Sequence, residues 1–245
     1  MKMTGLETIQ KLRQESFNEK TEKKLLSHPY LTAAKNGTLT KSQRRAFARE
    51  QYLIQLSDAR SFASLAGHEG FAPTSLSDAI APKPNPPESP VDLFQFLLGG
   101  ELYAAPLLLE YAKQLDLDEE SLKSPNSDYC ISAKAQAYPS YWARLALSKQ
   151  RAAGAAACAV NFPAWGRMCQ RLLEALRDGE AYPEYTSDDD AGLAFVKFFA
   201  TPIEDLDVMA ATIIEEENVS YEELVEPVRL LQEYEIMFWD AIFDA

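Results

Sequence analysis

The C-terminal stretch Tyr234-Glu235-Ile236-Met237-Phe238-Trp239-Asp240-Ala241-Ile242-Phe243 is almost wholly apolar, yet it carries a carboxylate near its start. The apolar positions Leu224, Val228, Leu231, Phe238 and Ile242 advance by four, three, seven and four residues. Position 235 fills the gap in that series, so Glu235 shares the core-facing stripe of a helix. Pro227 interrupts the register upstream and would also suit the first turn of a new helix, but the Leu231–Ile242 part stands without it. A carboxylate placed inward must find donors or hold a proton. Two readings stay open: a paired structural glutamate, bonded to a cation, tyrosine or serine, or a pocket carboxyl with a raised pKa, suited to moving protons.

Other chemistries fit less well. A di-iron carboxylate bundle needs Glu-x-x-His pairs, but Leu25 and Leu65 stand three residues before the two histidines, His28 and His68. His28, ahead of Pro29, suits a helix end where an imidazole meets terminal carbonyls. No glycine-rich phosphate loop or Gly-x-Ser-x-Gly elbow occurs. The odd cysteine count (Cys130, Cys158 and Cys169, with no CxxC) reads as reduced thiols, and Cys is often simply a small buried residue. Neither metal nor cofactor is expected.

The elements that must position Glu235 are helices. Periodicity predicts them near 4–27, 41–67, 90–115, 128–149, 151–177, 188–200, 202–218 and 220–243, with short turns near 30–36 and 118–123. Thr40-x-x-Gln43, Thr201-x-x-Glu204 and Ser220-x-x-Glu223 have capping-box spacing, Ser89-Pro90 a cap before an N1 proline, and Asn36-Gly37 a stop. No period-two run calls for a strand. Several helices exceed 20 residues, which predicts an all-α bundle, one domain over residues 1–245. Pro82-Lys83-Pro84-Asn85-Pro86-Pro87 cannot be helical and reads as an extended surface connection near 82–90. Pro163 should kink its helix, and the small run Ala152–Ala157 permits close helix contact or leaves room for a ligand.

The net charge of −13 opposes nucleic-acid and anionic-membrane roles. Without a leader-like apolar core at the start or a spanning apolar stretch, a cytoplasmic protein with no membrane association is expected.

His28-Pro29-Tyr30-Leu31, Asn36-Gly37-Thr38-Leu39, Gln51-Tyr52-Leu53, Tyr141, Phe162-Pro163-Ala164-Trp165 and Tyr234-Glu235 with Phe238-Trp239 occur in an order that resembles the TenA/PqqC family over residues 20–243. That resemblance implies the haem-oxygenase-like all-α fold, a small-molecule ligand in an internal pocket, and a homodimer or homotetramer. TenA enzymes of the family hydrolyse an aminopyrimidine in thiamin salvage. Their catalytic glutamate falls on Glu235 and two pocket tyrosines on Tyr52 and Tyr141. The nucleophilic cysteine falls on Ala164, the pyrimidine-holding aspartate on Arg49, and two further tyrosines on Phe199 and Met168. Trp165 joins Phe199 and Met168 as pocket wall.

An alanine cannot attack carbon, so standard aminopyrimidine hydrolysis is not expected. Cys169, about 140° further round the helix than Ala164, is a poor substitute. Arg49 would favour an anionic ligand. The expected protein is therefore TenA-like, with Glu235 as acid/base in a pocket of thiamin-type metabolism. The alternatives are a non-catalytic binder and a CADD- or PqqC-like oxidase of a small aromatic substrate. For a CADD-like metal pair Glu101 matches one ligand, but Leu108 stands where a histidine is needed.

Overall fold

The computed structural model describes residues 3–79, 92–123, 129–185 and 191–245. Among them the chain is helical, with no β-strand. The helices are α1 (Gly5–Arg13), α2 (Ser16–Leu26), α3 (Pro29–Lys35), α4 (Lys41–Leu65), α5 (Leu93–Lys113), α6 (Glu119–Lys123), α7 (Ala137–Leu147), α8 (Arg151–Leu176), α9 (Ala194–Ala200), α10 (Leu206–Glu217) and α11 (Tyr221–Phe243). The all-α bundle expected from periodicity is what forms.

Local chemistry explains most of the boundaries. Thr40 and Ser220 close capping boxes with Gln43 and Glu223 at the starts of α4 and α11, and Thr4 does the same with Glu7 at α1. The expected box at Thr201 does not form. Thr201 ends α9, and α10 starts only after Asp205, which adopts a left-handed conformation. The predicted helix 4–27 is broken at Gln14-Glu15 into α1 and α2, and the predicted 128–149 is helical only over α7. His28 caps the start of α3 rather than the end of α2. Its Nδ1 accepts from the Tyr30 amide, and its Nε2 lies 3.1 Å from Asp240 Oδ1. The Ser89-Pro90 signal and the Pro-rich connection fall outside the described residues.

Pro163 and Pro227 both lie within continuous helices, so α11 runs unbroken past Pro227 and carries its register through to Glu235. The small run on α8 serves close contact: a Cβ on Gly154 would meet Phe94 at 3.0 Å and Trp142 at 3.1 Å. One described helix, α5, is long and apolar enough by length and composition to cross a membrane, contrary to the reading of the sequence. It packs against α4, α9 and α10, as a core helix of a bundle does.

The core divides into two apolar clusters. One centres on Phe47, with Tyr111, Met168, Phe195, Phe238 and Trp239. The other centres on Trp142, with Phe62, Phe94 and Ala156 around it and Leu224, Val228 and Leu231 contributed by α11. Four long helices pass from one cluster to the other, α4 between Leu56 and Ala59, α5 between Leu98 and Ala104, α8 between Val160 and Ala164, and α11 between Leu231 and Phe238.

Candidate functional site

Each of those crossings contains a polar side chain. Asp58 comes from α4, Glu101 from α5, Asn161 from α8, and Gln232 and Glu235 from α11. Tyr138 of α7 packs against both clusters. The bundle therefore carries a polar layer where its two apolar clusters meet.

Glu235 is only 2% exposed. The Asn161 side-chain amide donates to its Oε2, and Trp239 Nε1 donates to its Oε1 at 3.4 Å. Burial raises its pKa to about 7, although both hydrogen bonds and the charge of Arg167 pull the other way. Desolvation penalises the ionised form more than two neutral donors repay. A carboxyl poised near neutrality can both give and take a proton.

Asp58 and Glu101 form the other acidic part of the layer. Burial raises the Asp58 pKa, and the Glu101 charge raises it further; burial also raises that of Glu101. Glu101 is half-buried as a residue, but its carboxyl sits inside the bundle. Gln55, one turn before Asp58, donates to the Glu101 backbone carbonyl at 3.0 Å. The Tyr138 phenol feels both Asp58 and Glu235, which places it between them electrostatically, and burial raises its pKa most. Asp58 Oδ1, Gln55 Oε1 and Gln232 Oε1 are buried acceptors with no hydrogen-bond partner among the described residues.

The residues singled out in the sequence fall into separate groups. Ala164 and Met168 are buried in the Phe47 cluster beside Trp165 and Phe199. The Trp165 ring lies 5.5 Å from Trp239, the partner of Glu235, and 5.9 Å from Phe199. Tyr141 packs on Tyr234 at 5.5 Å, next to Glu235 in the chain. Tyr52 and Arg49 are engaged elsewhere. The Tyr52 hydroxyl donates to Glu119 at 3.1 Å, and the Arg49 guanidinium lies 5.6 Å from the Tyr129 ring centre. Arg49 lines a cavity of about 160 Å³ with Lys41, Ser42, Arg45 and Tyr129. A larger one, about 520 Å³, is walled by residues that include Ser77, Leu109, Asp118 and Glu119. Neither cavity contains Glu235.

Cys169 is buried, and burial together with the Glu235 charge raises its pKa, so it is a poor nucleophile. Among the described residues no group of three or more His, Cys, Asp and Glu side chains could hold a metal ion. Sequence reasoning missed Asp58, Tyr138, Asn161 and Gln232 as site residues. A signal was present on α11, where Gln232-x-x-Glu235 sets two polar residues one turn apart on a face otherwise apolar; Gln55-x-x-Asp58 repeats the spacing on α4, where Arg44, Arg49, Glu50, Gln51 and Ser61 are also buried and mask it.

The fold is an all-α bundle of the haem-oxygenase-like type with an acidic layer across its middle. The chain belongs to the TENA/THI-4/PQQC family, whose model matches residues 88–245. Solved structures carry the likeness over nearly the whole chain. A TenA homologue from P. horikoshii OT3 is 17% identical, with a TM-score of 0.63, covering 97% of this chain and 98% of that one. A TenA homolog from Pseudomonas syringae pv. tomato str. DC3000 is 15% identical, with a TM-score of 0.66, covering 96% and 92%. A TenA family transcription regulator from Silicibacter sp. TM1040 is 16% identical, with a TM-score of 0.58, covering 97% of each chain. No curated protein matches the chain.

Proposed function

We propose that the polar layer is a small-molecule site centred on Glu235, in a protein of thiamin-type cofactor metabolism that does not hydrolyse an aminopyrimidine by a cysteine route. The observation that carries this reading is the state of Glu235: buried, oriented by Asn161 and Trp239, and held near pKa 7. A glutamate kept only for structure is normally paired with a cation or given enough donors to stay ionised. Unpartnered acceptors in the same layer support a ligand that completes it.

Ala164 and the buried thiol of Cys169 leave no competent nucleophile beside the glutamate. Ligand binding, with Glu235 exchanging a proton with the ligand, is therefore favoured over hydrolysis. Titration of an aminopyrimidine against tryptophan fluorescence tests this, because Trp239 touches Glu235. Saturable quenching is expected in the wild type and weaker binding in Glu235→Gln, with no aminopyrimidine released from thiamin-type substrates. Equal quenching in both proteins would remove Glu235 from the site, and cysteine-type turnover would overturn the rest.

A further inference from the structure

The helix α4 carries two buried acids, and the fold treats them differently. Glu50 is fully enclosed and satisfied: it accepts from the Ser132 amide at 2.7 Å and from the side chains of Tyr129 and Gln136. Asp58, two turns further on and 4% exposed, has an oxygen with no donor among the described residues. One turn back on the same face, the Gln55 carbonyl oxygen is also without a donor. Across from them α5 brings a further carboxyl, Glu101. A fold that supplies three donors to one carboxylate and leaves two buried acceptors, Asp58 Oδ1 and Gln55 Oε1, without a partner among the described residues in its central layer has left them for something else to complete.

We infer that Asp58, Glu101 and Gln55 form a cation subsite, which takes the N–H donors of an ammonium or amidinium group on a small organic ligand. The inference rests on the reading of the layer as a ligand site, and extends it from Glu235 to the far side of Tyr138. Unpartnered acceptors beside two carboxyls call for a positively charged group with several donors. A nitrogen cation supplies both, whereas a metal ion would find only two carboxyls and an amide here. Arg49 has no bearing on the charge of this ligand, since it lies against Tyr129.

Proton linkage follows. The titratable groups facing Asp58 are Glu101 from α5, Tyr138 from α7 and Cys158 from α8, with Glu235 of α11 facing Tyr138 from the other side. Burial and mutual repulsion keep the acid pair protonated beyond the usual carboxyl range, so an arriving cation displaces a proton. Affinity then rises by about tenfold per pH unit until the pair is ionised in the free protein.

The experiment is calorimetric titration of the full chain with benzamidinium and with 1,4-diaminobutane, using benzoate and Mn²⁺ as comparison ligands, at pH 6 and pH 8. Binding of a nitrogen cation is expected, tighter at pH 8 and with proton release. Asp58→Asn and Glu101→Gln, both near-isosteric, are each expected to weaken it at least tenfold and to flatten its pH dependence. Circular dichroism checks that both fold, and either variant alone decides the matter if the other does not. Three results overturn the subsite: no binding of either nitrogen cation by the folded wild type, undiminished binding in the variants, or preference for Mn²⁺ or benzoate. If the variants bind as the wild type does while Glu235→Gln does not, the subsite fails and the Glu235 site stands. If Glu235→Gln also binds as the wild type does, the wider reading fails as well.

Discussion

The amide of Asn161 donates to the carboxyl of Glu235, joining α8 to α11 where both helices leave one apolar cluster for the other. That bond lowers the glutamate's pKa against the larger upward effect of burial. Asn161→Ala removes the donor, so the Glu235 titration should move above its wild-type position near pH 7. The midpoint can be followed through Trp239 fluorescence. A midpoint at or below the wild-type value would show that the bond does not tune the acid.

Glu235 also makes stability depend on pH. Its pKa is raised on folding from 4.5 to about 7, so the folded chain binds more protons than the unfolded chain between those values. Stability therefore falls as pH rises through this window, and the loss is complete above the folded pKa. At 1.36 kcal/mol per unit this amounts to roughly 3 kcal/mol. Glu235→Gln lacks the effect. Its stability relative to wild type should improve by about that much between pH 5 and pH 8 in urea unfolding. Asp58 and Glu101 act with the same sign and remain in the variant.

The two buried acids of α4 should respond oppositely to neutralisation. Glu50→Ala strands the Ser132 amide and the Gln136 and Tyr129 side chains, and is expected to cost roughly 3 kcal/mol. Asp58→Asn removes a buried acid that lacks full pairing, and should be neutral or stabilising at pH 8. Equal losses from both, measured by denaturant unfolding, would mean that Asp58 is as structurally committed as Glu50.

Thiol reactivity tests the claim that no nucleophile remains near Glu235. Cys130 is exposed, while Cys158 and Cys169 are buried with raised pKa values. Ellman's reagent should modify one thiol rapidly in the native protein and three in denaturant. A second fast thiol that vanishes in Cys169→Ser would reopen cysteine chemistry at the site.

Local signals in the chain determined the helices themselves and the inward direction of Glu235. Capping boxes and 3.6-residue periodicity act within a few residues, and α11 kept the register that spacing predicted in spite of Pro227. Only the tertiary structure decided what Glu235 meets. Asp58, Glu101, Tyr138 and Asn161 come from four other helices, and periodicity shows which face is buried but not which helix lies across from it. Arg49 shows the same limit from the other side. It precedes Asp58 by nine residues on α4, about 180° around the axis. An alignment along the chain makes Arg49 a pocket residue, whereas packing turns Asp58 towards the central layer and Arg49 towards Tyr129.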